Sequence, residues 1–218
     1  MSQPILTISS KNYSSWSLRG WLLCKLSGLD VVEQRIAIDD PGQRAELLLL
    51  SPSVLVPRLT HEHASVWDTL AIAEYLNEKF PEAGLYPADG LARAHCRSIS
   101  GEIHSGFHNL RSAMPMNLKA RHDSFRLFAG AKPDIERIQQ IWTDCLSQYG
   151  GPWLFGSTPT VADAMFAPVA TRFITYAIPL EAACRAYTAT IMAWPLMRQW
   201  IAEAAMEPDE MEELDAEF

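Results

Sequence analysis

The sequence predicts a two-part molecule, a small mixed α/β unit followed by an all-helical bundle. Three observations carry that prediction. Up to Pro81, short β-branched stretches alternate with helix-like ones. Residues 81–89 then form a connector punctuated by proline and glycine. Beyond Leu91, apolar residues recur almost wholly at three- and four-residue spacing. The boundaries read as 1–82 for the first unit, 83–90 for the linker and 91–218 for the helical unit with its acidic tail. A chain of 218 residues is long enough to bury such cores without disulfide help.

Pro4 to Ser9 is short, apolar and β-branched, so it opens the first unit as a strand and ends in the polar run Ser9-Ser10-Lys11-Asn12. Leu18, Trp21, Leu22 and Cys24 to Leu26 give one helical face that stops at Gly28. Val31 to Ile38 alternates as a strand does, and Asp39-Asp40-Pro41-Gly42 turns the chain into a short helix through Leu50. Val54 to Thr60 and Ser65 to Trp67 read as two brief strands around His61-Glu62-His63. Leu70 to Phe80 closes the unit as an amphipathic helix, giving the order β-α-β-α-β-β-α with both parallel crossover and hairpin connections. In the second unit Leu91, His95, Ile99, Ile103, Phe107, Leu110 and Met114 predict one long helix. Ile135, Ile138, Trp142, Cys145 and Tyr149 predict another, Val161, Met165, Val169 and Phe173 a third, and two shorter helices surround Trp194-Pro195. The third opens on Thr160-Val161-Ala162-Asp163, a capping box in which hydroxyl and carboxylate satisfy each other's backbone N–H groups; this pair is structural.

Charge and cysteine usage narrow the function classes. Eighteen basic against 26 acidic residues leave a net charge of -8, part of it in the tail from Glu207 to Phe218. Such a chain repels phosphate backbones and anionic lipid, so neither nucleic acid nor a membrane surface is expected as a partner. Cys24, Cys96, Cys145 and Cys184 stand singly, which reads as a reducing cytoplasm and no zinc site. His61 and His63 lack a third ligand nearby, so no metal is expected, and Trp67 and Trp153 read as packing groups. No stretch has the pattern of a cleaved leader or of a membrane span.

Ser53-Val54-Leu55-Val56-Pro57-Arg58-Leu59 and Val66-Trp67-Asp68-Thr69-Leu70-Ala71-Ile72-Ala73-Glu74-Tyr75-Leu76 resemble the glutathione-binding half of the cytosolic glutathione S-transferases. The stretch from Gly156 to Asp163 looks like that family's helix-capping motif, and the resemblance runs from about Ile5 to Trp200. It implies a thioredoxin-like first domain and a helical second one. Val56-Pro57 would then be a cis-peptide turn whose preceding residue, Val56, pairs with the cysteinyl backbone of glutathione. The Thr69 hydroxyl and N–H would take the γ-glutamyl carboxylate at a helix N-terminus, and Asp68 the ammonium, although both residue types also favour a helix cap. Leu55 stands where many relatives place a long polar side chain toward the glycine end, so the alternatives are a weaker affinity or a carboxylate held by Lys11 or by another residue.

Asn12-Tyr13-Ser14-Ser15-Trp16-Ser17-Leu18-Arg19 looks like the family's activation segment, closest to the serine- and cysteine-type classes and distantly similar to the zeta class. The zeta pattern carries cysteine where Ser14 stands and serines where Asn12 and Tyr13 stand. A hydroxyl donating to the glutathione sulfur beside a helix N-terminus lowers the thiol pKa from its free value of about 8.5. Ser14 is the first candidate for that role, with Ser15 and Tyr13 next, and the same serines are candidate helix caps. The second substrate is expected between the two units, near His104, Phe107, His108, Arg111, Met114 and Met116, where helical spacing makes Phe107 and Met114 equally candidates for core. The implied activity is addition of glutathione to a small hydrophobic electrophile by a cytoplasmic homodimer. A glutathione-dependent cis-trans isomerase of maleylacetoacetate type and a non-catalytic module of the same fold are the alternatives.

Overall fold

Residues 3–36, 55–127 and 129–207 are described by the structure, a computed structural model. The first strand, β1 (Ile5–Ile8), buries Leu6 and Ile8 completely and occupies the middle of a four-stranded sheet. It pairs in parallel with β2 (Val32–Arg35) and antiparallel with β3 (Arg58–His61), which pairs antiparallel with β4 (Ala64–Trp67), so the order is β2-β1-β3-β4. A parallel neighbour demands a crossover, and α1 (Ser15–Leu26) supplies it, ending at Ser27 before Gly28 with φ of 76°. Helix α2 (Thr69–Lys79) follows β4 directly and buries Ile72, Ala73 and Leu76. This is the expected mixed α/β unit. The predicted helix between Asp39 and Leu50, and the residues Ile38, Ser53 and Val54, lie outside the described residues. Pairing in β3 begins only at Arg58, one residue after Pro57, which has no N–H to give a ladder.

The second unit holds α3 (Gly90–Ser105), α4 (His108–Ala113), α5 (Lys132–Tyr149), α6 (Val161–Thr175), α7 (Ala182–Ala193) and α8 (Pro195–Ala205). Among the described residues no helix is long and apolar enough to cross a membrane. Helix α6 is buried along its length except at Ile174, and α1, α3 and α7 all pack against it. Its start is the capping box read from the sequence. Asp163 Oδ2 accepts the Thr160 N–H at 2.7 Å and the Thr160 hydroxyl at 3.0 Å; Oδ1 adds the Leu154 N–H and the Tyr187 hydroxyl.

One expectation is corrected. The single long helix from Leu91 to Met114 is two helices, broken at Gly106 and Phe107. At Gly106 a Cβ would lie 2.8 Å from the Glu102 carbonyl oxygen, and Phe107 takes the left-handed φ of 59°. The Arg111 guanidinium then donates to the released carbonyls of Ile103 and His104. Periodicity hides this break because Ile99 and Ile103 before it and Leu110 and Met114 after it are all buried. Leu91 also departs from its expected inward face: it is 84% exposed, while Ala92, Cys96, Ile99 and Ile103 turn inward.

Candidate active site

The loop from Ser9 to Tyr13 carries the chain from β1 into α1, and Ser14 caps that helix. Ser14 Oγ accepts the Ser17 N–H at 3.2 Å and its hydroxyl donates to Ser17 Oγ at 2.9 Å. Ser17 Oγ in turn accepts the Ser9 N–H at 3.0 Å, so strand and helix are tied through one pair of serines. Ser14 is half-buried at the positive end of α1, whereas Ser15 is buried under Arg19, whose Nη1 stands 3.5 Å from its Oγ. Tyr13 is half-buried and its N–H donates to Ser10 Oγ at 3.2 Å.

Val56-Pro57 is a cis peptide, as the family pattern implies. Pro57 packs so tightly on α1 that a Cβ on Gly20 would lie 2.5 Å from the proline Cβ and Cγ. Two residues past β4's Val66, Asp68 takes φ of 76°, rare outside glycine, and caps α2 by accepting the Leu70 and Ala71 N–H groups on Oδ1 at 2.8 and 3.3 Å. Beside it Thr69 is buried, and its hydroxyl has no hydrogen-bond partner among the described residues. Leu55 is 62% exposed and brings no polar group. Lys11 is not available for a carboxylate: its ammonium is buried between Glu33 and Glu203 and over the Trp200 ring at 4.8 Å.

From the other unit, His104 at the end of α3 reaches across to Asp68, with Nε2 2.5 Å from Oδ2. Its ring also meets the edge of Trp16, centroids 5.2 Å apart, and Trp16 carries the guanidinium groups of Arg19 and Arg111 over its ring at 4.6 and 5.1 Å. Of the expected pocket residues, His104 and Arg111 therefore come together with Asp68. His108 is exposed, and Phe107, Met114 and Met116 are buried in the core of the helical unit.

Arg19, Arg111 and Arg172 form a cationic group, of which the sequence reading singled out only Arg111 as a pocket candidate. Arg19 is fully buried, with Nε on the Met165 carbonyl at 2.8 Å and Nη2 without a hydrogen-bond partner among the described residues; Arg172 donates to the carbonyls of Met114 and Pro168. None of the three forms an ion pair with a carboxylate among the described residues. Burial, and then repulsion from Arg172 and Arg111, pulls Arg19 well below the usual guanidinium range, and burial followed by repulsion from Arg111 brings Arg172 down to about 10. A signal existed for Arg172, the one cation on a helix that is mostly apolar beyond its capping Asp163, since unpaired cations are seldom fully buried. The protein's own thiols are all buried; burial pushes Cys24, Cys96 and Cys145 up to about 12, so none of these is a nucleophile at neutral pH.

Comparison with known proteins agrees with this geometry. Residues 13–79 match the family model for the glutathione S-transferase N-terminal domain, and residues 118–203 match that for the C-terminal domain. The chain is 35% identical over 172 residues to maleylacetoacetate isomerase of Mus musculus, covering 76% of each chain. It is 28% identical over 179 residues to a probable maleylacetoacetate isomerase of Caenorhabditis elegans, covering 78% of this chain and 80% of the relative. Among solved structures, a Burkholderia glutathione transferase homologue with bound glutathione superposes with a TM-score of 0.69 at 23% identity, over 94% of this chain and 99% of its own. The holo form of maleyl pyruvate isomerase, a bacterial zeta-class transferase, superposes with a TM-score of 0.70 at 22% identity, over 95% and 100%. At that identity the superpositions speak for the fold.

Proposed function

The chain belongs to the glutathione S-transferase family, and from that premise we propose that its first unit binds glutathione and delivers the thiolate to a small hydrophobic electrophile held against the second. The observation that carries this reading is the Thr69 hydroxyl, buried at the head of α2 without a hydrogen-bond partner among the described residues. A buried hydroxyl left unpaired costs about 1–3 kcal/mol, a cost that a bound carboxylate removes. The backbone of Asp68 next to it supports the reading, because a non-glycine residue held at positive φ is typical of ligand clamps.

Glutathione supplies the thiol, whose deprotonated form is the nucleophile. Ser14 turns its hydroxyl from Ser17 toward the sulfur, and the N-terminus of α1 adds the positive end of its dipole, so the charged form is favoured. Thr69 and the α2 N-terminus hold the γ-glutamyl carboxylate, and Asp68 holds the ammonium. Val56, just ahead of β3, offers its backbone to the cysteinyl residue. His104 and Arg111 from the helical unit, with Trp16 from α1 between them, face the electrophile. The bulk charge of -8 does not attract an anionic tripeptide, so these local groups do the recruiting.

A second reading, glutathione-dependent cis-trans isomerisation, is favoured by the group of Arg19, Arg111 and Arg172, which suits a diacid better than a neutral electrophile. There the sulfur adds to a conjugated double bond, the resulting single bond rotates, and elimination returns the thiolate. Titration calorimetry with glutathione, followed by the thiolate ultraviolet band and product analysis, tests both. Binding with a bound-thiol pKa below the free value is expected, and Ser14→Ala is expected to raise that pKa by about one unit. Turnover of a maleyl-type diacid without consumption of glutathione selects the isomerase. Absence of binding at millimolar glutathione sinks both enzymes in favour of a non-catalytic module.

A further inference from the structure

The loop that presents Ser14 is not held by the sheet alone. Glu207, just beyond the end of α8, inserts a buried carboxylate into it from the far end of the chain. Oε1 accepts the Lys11 N–H at 2.7 Å, and Oε2 accepts the Ser10 hydroxyl at 2.8 Å and the Asn12 N–H at 3.2 Å. Arg35 of β2 adds a guanidinium contact to Oε1 at 3.1 Å, and the Glu207 carbonyl takes the Lys119 ammonium, in contact at 2.5 Å. Ser10 completes the arrangement: its Oγ accepts the Asn12 and Tyr13 N–H groups, and its carbonyl accepts the Ser14 N–H at 3.0 Å. The Asn12 side chain is pinned in parallel by the segment after α4, donating to Asn117 Oδ1 at 3.0 Å and accepting the Leu118 and Lys119 N–H groups.

A loop of five residues that ends on a nucleophile-activating hydroxyl has a large conformational freedom to lose, at about 1–2 kcal/mol per residue. Glu207 offsets much of that loss with charge-assisted hydrogen bonds to three consecutive residues, Ser10, Lys11 and Asn12. Lys11 is already paired with Glu33 and Glu203, and among the described residues the one charged side chain that meets the Glu207 carboxylate is Arg35, at a single oxygen. The remaining hydrogen bonds of that carboxylate all go to the loop, through the Ser10 hydroxyl and the Lys11 and Asn12 N–H groups.

We infer that Glu207 is a positioning residue for thiol activation, fixing the segment Ser10–Tyr13 so that the Ser14 hydroxyl points at the sulfur. The inference rests on the proposed role of Ser14, and the experiment separates the two. Glutathione affinity, bound-thiol pKa, kcat and KM are measured on the full-length protein and on Glu207→Gln, which keeps the shape but only one acceptor oxygen. Glu207→Ala and the double variant Ser14→Ala/Glu207→Ala complete the set, with amide hydrogen exchange at Lys11 and Asn12 as a readout independent of glutathione.

The expected result for Glu207→Gln is faster exchange at both amides, a bound-thiol pKa higher by about half a unit or more, and kcat lower by about tenfold with a smaller change in KM. In the Ser14→Ala background the Glu207 effect on the thiol pKa should vanish, because the two residues act on one hydroxyl. A Glu207 variant that loses thermal stability while keeping the wild-type thiol pKa and kcat would overturn the inference and leave the proposed function standing. Wild-type protein that fails to bind glutathione, or binds it with an unshifted thiol, would overturn the proposed function and this role with it.

Discussion

At Asp68 a helix cap and the proposed ligand clamp would share one carboxylate. Oδ1 is spent on the first turn of α2, Oδ2 on His104, and the residue is held at a φ of 76° that costs about 1–3 kcal/mol for a side chain of this size. A cap alone does not require that geometry, since capping residues normally take the extended region. The two duties separate in Asp68→Asn. Asparagine caps as well as aspartate and tolerates positive φ, so the melting temperature should stay within a few degrees. The negative charge is lost, so glutathione affinity should fall by about tenfold or more, read by calorimetry. Unchanged affinity would leave Asp68 as a cap and nothing else.

Among the elements, α1 decides how close the first unit's site lies to the second unit's helices. It packs on α2 on one side and α6 on the other, and Arg19 ties it to the Met165 carbonyl of α6. Its contact with the loop before β3 depends on Gly20, where a Cβ would stand 2.5 Å from two carbons of the Pro57 ring. Helix propensity argues for alanine there by about 1 kcal/mol. Overpacking argues against it by about 1–3 kcal/mol, and it prevails because a proline ring cannot swing aside. Gly20→Ala should therefore lower stability in chemical denaturation and weaken glutathione binding together, by displacing α1 from Val56 and Pro57. A stabilised variant with normal binding would show that the contact relaxes freely.

Across the whole molecule, the helical unit is organised around α6 and its start. Asp163 gathers four donors from the loop before the helix, from the helix cap and from α7, and the Val161 N–H reaches back to the Leu85 carbonyl in the connector at 2.9 Å. Deleting that carboxylate leaves several buried donors unpaired at once, each worth about 1–3 kcal/mol. Asp163→Ala should cost about 3 kcal/mol or more and lower the melting temperature by about 10 °C, checked by calorimetry. Because α1 and α3 both rest on α6, the loss should extend to the Asp68–His104 contact between the units. A variant that melts like the wild type would mean that the capping box is dispensable to the fold.

The sequence by itself determined the two-part architecture, the strand order of types in the first unit and the starts of α1, α2 and α6. All of these are local: hydrophobic period, a proline or glycine at a boundary, and a Ser, Asp or Thr cap act within about four residues. Ser14, Val56, Pro57, Asp68 and Thr69 were marked as candidates by the resemblance to the family, which rests on short contiguous motifs. Only the tertiary structure decided that Gly106 breaks the long helix, since the apolar period runs on through the break. It also decided that Lys11 is consumed by Glu33 and Glu203, that His104 meets Asp68, and that Glu207 clasps Ser10 to Asn12 from 195 to 197 residues away. Such pairs follow from how the buried faces of α1, α3, α6 and α8 come together, and a contact between distant segments leaves no periodic trace in either one.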